Sequence, residues 1–207
     1  MRANATTLRL LLAIGTLSLL GACSILPKSE PVQVYLLPAQ AAPASQAPKV
    51  AWSLRLNTPQ ASQALNSARI AVLPHGNEFS TYAGSSWSDP APRLLRNHLL
   101  NAFQADGRIS ALSSDDANLQ ADLQLGGELQ AFQSEYRDGS VSVVVRLQAR
   151  LVDSQRRILA SQRFEVIQPS SGTDVPAVVS AFGAASDKLA AQVLQWVLAQ
   201  EKAQPIP

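Results

Sequence analysis

Two histidines, one cysteine and one pair of adjacent carboxylates are the residues of this 207-residue chain best suited to carry chemistry. Asp115-Asp116 could act as acid and base, one carboxyl giving a proton while the other takes one. In Ser113-Ser114-Asp115-Asp116, however, neighbouring carboxylates suit a solvated turn or a helix start. His98 follows Asn97 inside an amphipathic stretch and fits a boundary residue better than a general base; His75 stands alone in a polar segment. A Ser-His-Asp hydrolase would show its serine in a Gly-x-Ser-x-Gly elbow, and that spacing does not occur. Neither a phosphate-cradling glycine loop nor Cys and His at metal-ligand spacing is present. The expectation is a protein that is not an enzyme and holds no cofactor and no metal.

The cysteine points elsewhere. A lone thiol closes no internal disulfide, so Cys23 is inert, reactive or modified. Arg2 and Arg9 open the chain without an acidic residue, Leu10 to Leu20 form an apolar run of 11, and Leu20-Gly21-Ala22 lead into Cys23. This reads as an export signal, because an anchor would need ~20 apolar residues to cross ~30 Å of hydrocarbon. A secretory signal cut near Ala22 would leave Cys23 incidental. Leu-Gly-Ala-Cys instead resembles the bacterial lipobox, whose small residues admit the signal peptidase and whose thiol receives a diacylglyceryl group. A single acyl chain anchors only marginally, at about 0.8 kcal/mol per buried methylene, whereas a fully acylated lipoprotein stays attached. Residues 1–22 are thus expected to be a signal peptide, Cys23 the lipidation site and membrane anchor, and 23–31 a tether. Ser24-Ile25-Leu26 lack an aspartate after the cysteine, which resembles outer-membrane sorting with the domain facing the periplasm.

Loss of the signal changes the charge argument. Arg2 and Arg9 leave with it, so the 17 Lys and Arg fall to 15, equal to the 15 Asp and Glu. A neutral mature chain without basic runs interleaved with aromatics is not expected to bind nucleic acid. The 46% hydrophobic content with only 5% aromatic residues suffices for one core of Leu, Val and Ala.

The elements that would build that core are legible from periodicity. Val32 to Leu37 is β-prone, residues 39–48 form a Pro/Ala/Gln loop, and Val50 to Leu56 and Arg69 to Leu73 are further β-prone runs. His75 to Ser88, with Gly76, Asn77 and Gly84, reads as a surface loop. Asp89-Pro90 predicts a capped helix start, with Leu95, Leu99, Ala102 and Phe103 on the apolar face and Arg93, Arg96, Asn97, Asn101 and Gln104 on the polar face. Asp106-Gly107 ends it. From Leu119 to Ala131 apolar residues occupy odd positions, with a bulge expected at Gly126-Gly127. Val141 to Leu151 and Ile158 to Val166 alternate likewise, joined through Asp138-Gly139 and Asp153-Ser154-Gln155 turns. A second helix begins near Asp174 and repeats Val178, Phe182, Ala185, Leu189, Val193 and Trp196, with Asp187 on its polar side. The fold class expected is α/β, a two-layer sandwich with a mainly antiparallel sheet, its C-terminal part a β-meander, covered by two amphipathic helices. The domain is placed at 32–200, with 201–207 as a tail.

Leu54-Arg55-Leu56, Pro59-Gln60-Ala61, Ser67-Ala68-Arg69-Ile70-Ala71-Val72, Tyr82, Trp87-Ser88-Asp89 and Pro92-Arg93-Leu94-Leu95 follow one another in an order that, with the lipobox, resembles the ABC-type transport auxiliary lipoprotein family, PqiC-like. The long hairpin from Gly127 to Val166 extends the resemblance. It implies an accessory of an ABC permease, its ATPase and a mammalian-cell-entry (Mce) type subunit, a system moving phospholipids or other hydrophobic molecules between two membranes. It also implies a possible homo-oligomer. The stretch Pro74 to Ser86 departs from the PqiC pattern. The competing reading is an envelope-assembly or cell-wall-synthase activator lipoprotein.

Within His75 to Ser88 only Phe79, Tyr82 and Trp87 offer large apolar area, which makes them the partner-binding candidates. Trp87, directly before the helix cap, suits packing on the helix it introduces, and this leaves Phe79 and Tyr82 as the better docking residues. The polar sheet face, with Arg146, Arg150 and Arg163 near Glu128 and Glu165, reads as solvated or as a subunit contact.

Overall fold

The computed structural model describes residues 31–40 and 43–200. The expected signal peptide 1–22, Cys23, most of the expected tether 23–31 and the expected tail 201–207 lie outside the described residues. In chain order the elements are β1 (Gln33–Tyr35), β2 (Val50–Leu56), β3 (Gln60–Ala61), β4 (Arg69–Leu73), β5 (Ser80–Trp87), α1 (Ala91–Asp106), β6 (Ile109–Ser114), a single 3-10 turn at Asp115–Ala117, β7 (Leu123–Arg137), β8 (Ser140–Asp153), β9 (Ile158–Pro169) and α2 (Val175–Gln200).

The long strand β7 organises the sheet. One of its edges pairs antiparallel with β8 from end to end, and β8 pairs antiparallel with β9. Its other edge is shared by three strands in succession, all parallel to it: β2 at Leu123 to Leu125, β3 at Glu128 and Leu129, and β4 at Gln133 to Glu135. Beyond β2 the sheet continues to β6, and beyond β4 to β5 and β1. The result is a curled sheet of nine strands with two helices, in agreement with a sheet covered by helices. The antiparallel expectation holds for the meander and the β4–β5 pair, but β1–β5, β2–β6 and the three N-terminal partners of β7 are parallel. Parallel partners require crossovers, such as the passage from β2 through β3, β4, β5 and α1 to its parallel neighbour β6, and a crossover leaves no local turn signal in the sequence.

The bulge in β7 lies three to four residues beyond the expected Gly126-Gly127. Register passes from Leu129 opposite Leu147 to Ala131 opposite Arg146, so Gln130 is the extra residue. One inserted residue reverses a period of two: Leu123, Leu125 and Leu129 face the core before it, and Phe132 and Ser134 after it. Gly127 serves another purpose. Its φ is 144°, and a Cβ there would stand 2.0 Å from the Gln148 carbonyl oxygen, so only glycine allows β7 and β8 to meet at this point.

The segment expected as a loop is largely strand. β5 pairs with β4 at Ser80 and Thr81, loses register around Gly84 (φ 63°), and pairs again at Ser86. Backbone pairing needs no apolar alternation, which is why a Ser- and Gly-rich stretch concealed a strand. β5 ends in Trp87, whose amide donates to the Ala68 carbonyl at 2.6 Å. Trp87 is 2% exposed and stands edge-on to Phe182 (5.2 Å, 87°) and Phe132 (6.0 Å, 63°). These three rings tie β5, β7 and α2 together.

Helix α1 begins without the expected aspartate cap. Pro90 occupies the cap position with no side-chain hydrogen bond, and Asp89 instead stands 3.9 Å from Arg93. The Ala91 amide donates to Ser67, and Pro92 has no amide to satisfy, so two of the first-turn donors need no side-chain partner. The helix stops at Gly107 (φ 77°), whose amide returns to Phe103. Helix α2 buries Val178, Phe182, Ala185, Leu189, Val193 and Val197 and lies over β8 and β9, with α1 beside it.

Candidate functional site

The structure separates the three aromatic candidates. Phe79, immediately before β5, is 42% exposed. Tyr82 is half-buried; its hydroxyl shares a 2.9 Å hydrogen bond with the fully buried Ser134 and lies 3.5 Å from the Tyr136 hydroxyl. Burial pushes the Tyr82 phenol well above its ordinary range, and Tyr136 adds to the shift while Ser134 opposes it. Trp87 belongs to the core and presents no surface to a partner, which corrects its candidacy: its position at the last residue of β5, facing Phe132 and Phe182, turns it inward. Of the three, Phe79 is the one most exposed to solvent. Cys23 lies outside the described residues.

A buried ionic cluster occupies the far side of α1. Arg96, expected on the polar face, is 1% exposed. It donates to Asp115 at 2.5 Å and to Asp116 at 2.6 Å, while Asp115 also accepts from the Thr58 amide (2.9 Å) and hydroxyl (3.3 Å). Burial works against the Asp115 anion, but the Thr58 bonds and the Arg96 charge outweigh it and hold the carboxyl below its usual range. An acid–base pair needs a carboxyl that can take up a proton near neutrality. Asp115 is instead a fixed anion that fastens α1, the 3-10 turn and the segment after β2. The signal for it was hidden because the partners lie 19 and 20 residues apart in sequence.

A second constellation lies between the helices. His98 Nε2 of α1 is 2.8 Å from Asp187 Oδ1 of α2, and Asp187 also accepts the Gln40 amide at 3.2 Å. One turn earlier Gly183 leaves room for the incoming chain, since a Cβ there would stand 2.7 Å from the Pro38 carbonyl oxygen. Gly183 and Asp187, at i and i+4, thus receive the segment that follows β1. Beside them opens a cleft of about 450 Å³, lined by Ala39, Pro43, Ala102, Ala105, Ala191 and Leu194 with His98 and Asp187. Its volume lies in the range of about 300–1,000 Å³ typical of small-molecule sites. No serine, threonine or cysteine lines it among the described residues. A more polar hollow near β2 contains Arg55, but that guanidinium is engaged by Asn57, Gln124 and the Leu119 carbonyl. On the outer sheet face Arg146 and Arg163 both donate to Glu165, and these bonds hold that carboxyl low. Among the described residues no three His, Cys, Asp or Glu are grouped to hold a metal, and no helix is long and apolar enough to cross a membrane.

Burial lowers His98 below the usual imidazole value of 6.5, and the charge and hydrogen bond of Asp187 offset this only in part. A base depressed by folding adds stability that is complete above its unfolded value and lost as pH falls through the window beneath it. The urea midpoint is therefore expected to fall between about pH 7 and about pH 5, a range in which ordinary carboxylates have not yet titrated. His98→Gln should flatten that fall; a wild-type midpoint that holds or rises toward pH 5 would mean that Asp187 outweighs burial.

The profile of the ABC-type transport auxiliary lipoprotein component family matches residues 35–194. A protein of Xanthomonas campestris known from a crystal structure is 29% identical, with 83% of this chain and 98% of that one covered and a TM-score of 0.77. A second crystal structure, of an uncharacterized protein, shares the fold at 15% identity, covering 81% of this chain and 99% of the other with a TM-score of 0.64. An uncharacterized protein of Bradyrhizobium diazoefficiens is 29% identical over 147 residues, 70% of this chain. The chain spans 39% of the length of that relative.

Proposed function

This chain belongs to the ABC-type transport auxiliary lipoprotein component family, and from that membership we propose that it is the lipid-anchored accessory of an Mce-type ABC system that moves phospholipids or other hydrophobic molecules between the inner and outer membranes. The observation that carries the reading is the continuous match from residue 35, in β1, to residue 194, in α2. Leu20-Gly21-Ala22-Cys23 supports acylation at Cys23, which places the anchor ahead of the folded domain. The residues after Cys23 favour the outer membrane, with the domain in the periplasm. Arg96, Asp115, Asp116, His98 and Asp187 are engaged with one another inside the domain, which suits a binding and positioning role rather than a chemical one.

Partner contact on this reading involves Phe79, the candidate ring left facing solvent. Affinity purification of the acylated chain is expected to recover an Mce-type subunit together with the permease and ATPase. Phe79→Ala should reduce that recovery by tenfold or more, since an interface aromatic is worth roughly 2 kcal/mol, while leaving the melting temperature unchanged. Recovery of cell-wall synthases or assembly factors in place of a transporter would instead favour the envelope-assembly reading. Unchanged binding by the Phe79 variant would move the docking site elsewhere on the domain.

A further inference from the structure

The first described strand carries an unexplained apolar row. Val32, Val34 and Leu36 are 56%, 64% and 74% exposed, three of the eight large hydrophobic side chains most open to solvent among the described residues. They alternate with Tyr35 and Leu37, which pack on the core, so the row points outward from the sheet. This is not a loose terminus. β1 pairs parallel with β5, the Ser88 amide donates to the Tyr35 carbonyl, Pro38 is seated against Gly183, and the Gln40 amide is held by Asp187. The strand is paired along its length and held beyond its C-terminal end, with its oily side out.

Chain length limits what can cover that side. Val32 follows Cys23 by nine residues, a reach of at most about 30 Å fully extended. A domain of this size has a radius of gyration of about 15 Å, and hence a diameter larger than that reach. An acylated Cys23 in a bilayer would therefore keep the β1 edge, rather than the opposite β9 edge, near the lipid. Register adds one complementary charge. Val34 aligns with Ser86 and Ser86 with Arg69, and Arg69 is exposed on the outward face about 10 Å from Val34, two strand spacings away. A short apolar row flanked by a cation matches the boundary between acyl chains and anionic headgroups.

We propose that Val32, Val34 and Leu36 rest in the headgroup boundary of the membrane that anchors the chain, making the outer face of β1 a lipid-contact surface that sets the orientation of the domain. The inference rests on the acylation of Cys23 within the function proposed above. Because acylated Cys23 has no free thiol, a cysteine introduced elsewhere is the sole labelling site.

The full acylated chain with Val34→Cys, carrying an environment-sensitive fluorophore, is reconstituted in vesicles of phosphatidylethanolamine and phosphatidylglycerol, some containing a headgroup-quencher lipid. Ser161→Cys, on the β9 edge, serves as the reference position. Flotation of the protein with the vesicles reports the anchor. The expected result is a blue shift and loss of emission on the quencher at position 34, neither at position 161, and loss of the shift when Val32→Ser and Leu36→Ser are added. A chain that floats while position 34 behaves like position 161 overturns the contact and leaves the anchor and transport reading intact. A shift that ignores the quencher and grows with the protein-to-lipid ratio assigns the row to a second copy, which also overturns the proposal, as does a shift that survives the two serines. A chain that does not float overturns the anchor and the contact together.

Discussion

Trp87→Ala is expected to lower unfolding stability by about 3–5 kcal/mol, the range for removing a fully buried large aromatic side chain. The ring is 2% exposed and closes the junction of three elements, standing edge-on to Phe132 of β7 and Phe182 of α2. Truncation removes its burial and leaves a cavity that two rings, themselves 4.8 Å apart, cannot easily collapse to fill. The indole Nε1 has no partner, so no hydrogen bond is lost and the effect is one of packing alone. Trp87→Phe keeps an edge contact and removes that buried polar atom, and should cost much less. A domain has about 5–15 kcal/mol in total, so the alanine variant is expected to lose a large part of its urea resistance at neutral pH. Phe79→Ala, three-sevenths exposed by comparison at 42%, should change the midpoint by no more than about 0.5 kcal/mol in equivalent stability. Equal midpoints for the two variants would show that the Trp87 ring is not a structural element.

That contrast marks what local sequence can carry. The β7–β8–β9 meander and both helices are legible because alternation at two and at 3.6 residues is imposed by one buried face. β5 was not legible, since it is held by backbone pairing at its two ends and contributes one deeply buried side chain, Trp87. Arg96 and Asp187 fall on polar helix faces by periodicity and His98 reads as a boundary residue, yet Arg96 and His98 are buried because their partners arrive from distant parts of the chain. The Gln130 bulge shows the same limit. The alternation through Ala131 was visible, but only the register against β8 reveals where its phase reverses. The proposal of Cys23 as a site rests on a contiguous signal, whereas the seat formed by Gly183 and Asp187 for residues 38 to 40 depends on a contact across 147 residues of chain. The outward row of β1 belongs to both categories: its apolar character is plain in the sequence, but its exposure is known only once Tyr35 and Leu37 are seen to face the core.

The ionic cluster supplies the second large effect. Replacing Asp115 and Asp116 together by alanine leaves Arg96, 1% exposed, without a counter-charge, and removing one side of a buried pair typically costs about 3–5 kcal/mol. The reciprocal change should be milder. Arg96→Met keeps the volume of the stem, and the abandoned carboxylates are 33% and 62% exposed, with Asp115 still accepting from Thr58. A triple variant carrying Arg96→Met with both alanines should accordingly recover much of what the double variant loses, because the guanidinium that burial penalises has gone. Acid titration gives an independent reading. Asp115 is held below the usual carboxylate range, so its contribution is complete above the unfolded value of about 4 and is lost as pH falls below that through the folded value. Wild type should lose stability more steeply than Arg96→Met in that acid window and not between about pH 7 and about pH 5, where the His98 effect acts. Urea midpoints for the three variants at neutral pH, and for wild type and Arg96→Met below about pH 4, test the assignment. If the double alanine variant unfolds at the wild-type midpoint, or proves more stable than Arg96→Met, Arg96 finds its compensation elsewhere and the carboxylates do not fasten α1 to the 3-10 turn.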